Sequence, residues 1–212
     1  QCRQSTGSAF RLAAAFSLVW FSGFLPTVYA QSSVQRVDRI LDNTSGLLWT
    51  FTDHYFHGGD YPQAVRIDHL LIKMDPHFED AYSVGAWLEW SDGLTDAAVA
   101  DLKLGVKNNP DRYDLYAEMG DCYWYWLKKP EAAIPYYIHA TSFYQEAPWT
   151  TFSALAHAAE KVGDYSRAAV AWRTARLKAD GDPQELGPIE ANLRRVMGKI
   201  AVQEGVSGAG AK

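Results

Sequence analysis

Along residues 45–182 the side chains that alternate between large and small recur at i, i+3, i+4 and i+7, the spacing of one helical face rather than of a strand. Leu48, Phe51, Thr52 and Tyr55 form the first such face, and Tyr82, Gly85, Ala86 and Glu89 the second. Tyr116, Met119, Gly120 and Tyr123 form the third, and Phe152, Leu155, Ala156 and Ala159 the fourth. Behind each face a second helical pattern follows: Ala64, Asp68 and Leu71; Ala98, Leu102 and Gly105; Ala133, Tyr137 and Ala140; Ala168, Trp172 and Ala175. A large side chain beside a small one suits two helices in close contact, because the small residue lets the backbones approach. Pro188 to Gln203 predicts one more helix, with Ile189, Leu193, Val196, Met197 and Ile200 as its apolar stripe.

The pattern is periodic. Asp75-Pro76 and Asn109-Pro110 close two similar blocks, and Gly59-Asp60-Tyr61 recurs as Gly163-Asp164-Tyr165. Ala64, Ala98, Ala133 and Ala168 fall at spacings of 34, 35 and 35 residues. In these residues and spacings the chain resembles the tetratricopeptide repeat (TPR) family over roughly residues 45–182. The resemblance implies an all-α fold: a right-handed α-solenoid of about four helix–turn–helix repeats, at about 45–78, 79–112, 113–148 and 149–182. A C-terminal capping helix over 183–203 and a flexible tail over 204–212 would follow, and residues 32–44 would be a linker. The chain departs from the family at Asp68, where an aromatic is usual, and at Thr52, where a small residue is usual. The third repeat gains a residue before Ala133, and its closing proline slips to Pro148; the last block also closes late, at Pro183.

Leu12 to Ala30 carries no charge and follows Arg3 and Arg11. Residues 1–31 therefore read as a signal peptide, with Val28-Tyr29-Ala30 as its cleavage site, or as a transmembrane anchor forming an apolar N-terminal helix. At 1.5 Å per residue the apolar segment spans roughly 28 Å, about one hydrocarbon thickness. Either reading exports the rest of the chain, to a periplasmic or extracellular location, with residues 12–30 available to hold it at the membrane.

Composition narrows the function. The net charge of −5, from 20 basic and 25 acidic residues, provides no positive excess to replace phosphate counterions and argues against a nucleic-acid partner. With two cysteines, Cys2 and Cys122, a disulfide framework or a cysteine-rich metal site is excluded. Cys122, with no histidine beside it, reads as a buried small apolar residue. No GxSxG, P-loop, GxGxxG, HExxH or CxxCH motif occurs, so no catalytic residue, cofactor or metal is expected, and the chain reads as a non-enzyme. His54 and His57, with Asp53, Asp60 and His69 nearby, have ligand chemistry, but the first two point about 60° apart on a helix and read as surface or interface histidines.

What stands out is the aromatic content, 14% with eight tryptophans. In TPR proteins the first helices line the concave side, and the resemblance carries this onto residues one position along from each packing face. The candidate partner-binding residues are Trp49, Asp53, Phe56 and His57 in the first repeat, and Trp87 and Trp90 in the second. Asp121, Trp124 and Tyr125 follow in the third, and His157 in the fourth. Rigid aromatics anchor interfaces well, and the acids favour a partner segment with an apolar face and a Lys or Arg. The expectation is a scaffold or adaptor of the cell envelope that binds a protein or peptide partner in an aromatic concave groove. The alternative is a permanent structural subunit of a larger membrane-associated assembly, with the same aromatics buried as core or interface. The lysines and asparagines that clamp a C-terminal carboxylate in some relatives are replaced here by Trp, Ser, Ala and Asp, which does not support that role.

Overall fold

The computed structural model describes residues 26–179, 181 and 183–209, and falls into two units, Gln1–Ile40 and Leu41–Lys212. The proposed leader lies outside the described residues as far as residue 25. Among the described residues no helix is long and apolar enough to cross a membrane. Helix α1 covers Pro26–Gly58, so residues 32–44 are helical, where a linker was expected. It is followed by α2 (Tyr61–Met74), α3 (Glu79–Ser91), α4 (Thr95–Asn108) and α5 (Tyr113–Asp121). After a π-helical turn at Cys122–Trp126 come α6 (Pro130–Ser142), α7 (Trp149–Lys161), α8 (Tyr165–Lys178) and α9 (Pro183–Ala209). No strand occurs among the described residues. Each helix from α2 onward packs on its successor, which makes the second unit an α-solenoid of helical hairpins closed by α9.

The turn inside each hairpin needs a residue in the left-handed region. Gly59, Gly93 and Gly163 supply it at φ +76°, +82° and +83°. Asp60 and Asp164 then cap α2 and α8, accepting the backbone N–H groups of Gln63 at 3.3 Å and Arg167 at 3.0 Å. The recurring Gly-Asp-Tyr triplet is this turn and cap. In the third repeat the left-handed position falls on Lys128, at φ +55°. There is one residue more between Gly120 and Tyr137 than between Thr52 and Asp68, and the surplus is taken up by the π-helical turn, whose Leu127 N–H reaches back to the Cys122 carbonyl at 3.0 Å. Lys128→Gly should relieve the left-handed strain and stabilise the protein by ~0.5–1 kcal/mol, seen as a higher urea midpoint; a lower midpoint would contradict it.

Hairpins close through the large–small pairing. A Cβ built on Gly120 would stand 2.4 Å from the Tyr137 ring, and one on Gly105 would stand 2.9 Å from Tyr82. Trp172, 1% exposed, takes the corresponding place in the fourth repeat. In the first repeat the two departures from the family answer each other: the Thr52 hydroxyl donates to Asp68 Oδ1 at 2.8 Å, and both side chains are buried. Burial pushes the Asp68 carboxyl up to about 7, with the Thr52 hydrogen bond opposing. Cys122 is buried, and burial raises its thiol to about 11. The closing helix α9 buries Ile189 and Val196, while Met197, expected on the same stripe, is 40% exposed. Arg195 and Lys199 of α9 reach over to Glu160 on α7, the latter at 2.9 Å.

Candidate partner-binding groove

The first helices of three repeats build one cleft. Trp49, Thr52, Asp53 and Phe56 come from α1, Ser83, Val84 and Trp87 from α3, and Glu118 from α5; together they enclose about 490 Å³. Helical spacing places them: 49, 52, 53 and 56 lie on one stripe of α1, and 83, 84 and 87 on one stripe of α3. Phe56 and Trp87 meet with centroids 6.0 Å apart, Phe56 stacks on Tyr61 at 6.0 Å, and Trp49 leans on Phe78 at 5.4 Å. Trp87 remains 42% exposed, an aromatic surface held open to solvent.

Two acids frame this cleft. Asp53 is exposed and stands 3.3 Å from His57, one turn along α1. Glu118 differs in character: burial pushes its carboxyl up to about 7, and the charges of Asp121 and Asp114 add in the same direction. An unfolded glutamate ionises near 4.5. Between that value and about 7 the folded state holds a proton the unfolded chain has lost, so stability falls as pH rises across this window. For Glu118 alone the full change is about 3 kcal/mol. Glu118→Gln should flatten this part of the profile in urea melts taken at pH 5 and pH 8; an unchanged slope would show that Glu118 is ordinary.

The expected groove residues thus separate. Trp49, Asp53, Phe56 and Trp87 share the cleft, with His57 attached through Asp53. Trp90 does not join them: it stacks on Trp126, centroids 5.1 Å apart and planes 8° from parallel, and packs against the core around Ala86 and Met119. Asp121 is turned to an internal partner, accepting the Tyr137 hydroxyl at 2.6 Å. The reason for both lies in the third repeat. The π-helical turn shifts the angular phase of residues 122–126, and the bulky Tyr137 carries a hydroxyl that needs an acceptor. Trp124 and His157 belong to a second cleft of about 420 Å³ with Glu160, Lys161, Tyr165 and Lys199. His157 meets the Trp172 edge at 4.8 Å, and burial lowers its pKa, with the Arg195 charge adding. Trp124 and the exposed Tyr125 also line a cleft of about 400 Å³ with Lys128, Pro130 and Lys161. The cleft at Trp49, Phe56 and Trp87 is therefore acidic, whereas lysines (Lys128, Lys161 and Lys199) line the clefts at Trp124.

Glu118 is the site residue the pattern missed. It follows Ala117 on α5 as Val84 follows Ser83 on α3. The signal was an acid at a position held by valine one repeat earlier.

Stacked helical hairpins with aromatics on their first helices define the class: the chain has the TPR fold. No family model and no curated protein matches the sequence. Among solved structures it is similar to TTC0263, a thermophilic TPR protein in Thermus thermophilus, at 19% identity and a TM-score of 0.56, covering 79% of this chain and 94% of that one. BtubC from P. vanneervenii superposes at a TM-score of 0.61 with 18% identity, covering 82% of each chain. PilW, titled a widely conserved type IV pilus biogenesis factor, does so at 0.56 with 18% identity, covering 74% of this chain and 76% of that one.

Proposed function

We propose that the chain is a non-enzymatic scaffold that holds a partner's peptide or helix by apolar anchor side chains and a Lys or Arg. The observation that carries this reading is the open cleft of Trp49, Phe56 and Trp87 with the Glu118 carboxyl set in its wall. Its volume lies within the ~300–1,000 Å³ range of ligand-holding clefts. An incoming ammonium or guanidinium would stabilise ionised Glu118, so part of the charge attraction is realised only when the partner is seated. A place in the cell envelope, with the partner presented there, rests on the uncharged segment at residues 12–30.

The test is selection from a displayed peptide library on the full chain. Selected peptides should combine aromatic or aliphatic residues with a lysine or arginine within one helical turn, and Trp49→Ala should lose them. Selection of acidic peptides, or retention by Trp49→Ala, would sink the reading.

A second reading, a permanent subunit of a larger membrane-associated assembly, is favoured by Leu70 and Leu104. They recur at one position of α2 and α4 and are 45% and 40% exposed. Under that reading the chain purifies only with a stoichiometric, salt-resistant companion.

A further inference from the structure

Behind the groove, three successive helices bring together a nitrogen and two carboxylates. His69 lies on α2, Glu89 on α3 and Asp101 on α4, and one ligand atom from each lies within 4.8 Å of the others. His69 Nε2 is 2.6 Å from Asp101 Oδ2 and 3.3 Å from Glu89 Oε1. Glu89 is 4% exposed, and its Oε2 is buried without a hydrogen-bond partner. Asp68, fully buried on the neighbouring turn position, leaves its Oδ2 in the same state. A native interior rarely strands two carboxylate oxygens, and each such atom calls for a reason.

We propose that His69, Glu89 and Asp101 form a binding site for a divalent transition-metal ion of zinc-like preference, which ties the first two repeats together. The donor set mixes imidazole with carboxylate, which suits zinc and its neighbours and suits the all-oxygen preference of magnesium or calcium poorly. The geometry is close to what such an ion needs. With metal–ligand distances of about 2.0–2.2 Å, tetrahedral ligand atoms sit about 3.4 Å apart. The Glu89 to His69 distance of 3.3 Å already meets this. The shorter His69 to Asp101 contact is a hydrogen bond that the ion replaces, taking the place of the shared proton and releasing it. Half-exposed His69 and part-exposed Asp101 give an ion access from solvent, while buried Glu89 fixes the inner side. Water completes the coordination.

This inference is independent of what the groove holds, and its test needs no partner. The full chain, stripped with EDTA, is titrated with zinc by calorimetry and with cobalt(II) by visible absorption. One equivalent is expected per chain, with the visible bands of a four-coordinate cobalt site and a higher melting temperature that EDTA reverses. His69→Ala and Asp101→Asn should each weaken binding at least about tenfold, whereas His54→Ala with His57→Ala should leave it unchanged. Circular dichroism confirms that each variant keeps its helices. Lack of uptake by the stripped protein, uptake undiminished in folded His69→Ala, or uptake lost with His54 and His57 would each overturn the proposal.

Discussion

Gly120→Ala is expected to destabilise the protein by about 3 kcal/mol, the upper part of the range for overpacking a close contact. The added Cβ would stand 2.4 Å from Tyr137 Cε1 and 2.5 Å from its Cδ1. Neither side has room to yield. The Tyr137 ring is 1% exposed, and its hydroxyl is tied to Asp121 at 2.6 Å. Moving the ring breaks that hydrogen bond; moving the backbone separates α5 from α6. For a chain of this length the loss corresponds to a fall of roughly 6–12 °C in melting temperature. The second repeat shows how to relieve it, since Ala86 there packs with Leu102 in one cluster. The double variant Gly120→Ala with Tyr137→Leu should recover much of the loss, though Asp121 is left without its donor. A single variant as stable as the parent would show that the hairpin is looser than this packing requires.

Two tryptophans three residues apart should behave in opposite ways. Trp87→Ala is expected to weaken binding of a selected peptide about 30-fold, or ~2 kcal/mol, while the melting temperature changes little. Its ring is 42% exposed and lies at the cleft wall against Phe56. Trp90→Ala is expected to cost about 3 kcal/mol of stability, because it removes the stack on Trp126 and opens a void beside the core. Peptide affinity by fluorescence and urea unfolding on both variants separate the two roles. If Trp87→Ala is as destabilising as Trp90→Ala, the cleft aromatics are core and the groove reading fails.

This pair also marks how far the sequence could be read. From spacing alone Trp87 and Trp90 were equivalent, because both fall on the inward side of α3. What separates them is Trp126, which lies beyond an inserted residue whose placement no periodicity announces. Only the π-helical turn settles which way the Tyr-Trp-Tyr-Trp run faces. Asp121 is a similar case: its position on the helix was legible, but its partner, Tyr137, sits on the following helix. The cleft at Trp49, Phe56 and Trp87 was legible because it follows undisturbed helical repeats, whereas Glu118 was hidden behind alanine at the position before it.

The cluster of His69, Glu89 and Asp101 was beyond reach for a different reason. The histidines that drew notice in the sequence, His54 and His57, are near each other in the chain, and ligands of a site built between helices are not. Successive helices bring residues 20 and 12 positions apart into contact through packing, which linear spacing does not display.

By itself the sequence determined the repeat and its parts. The large–small faces, the recurring Gly-Asp-Tyr triplet, the proline punctuation and the closing helix are all legible from local rules, because periodicity and backbone freedom act over a few residues. Tertiary structure alone decided which aromatics remain open to solvent, which acid carries a raised pKa, and that Thr52 and Asp68 answer one another. Those properties depend on what stands across the helix interface, and contact, burial and electric field are set by neighbours distant in the chain.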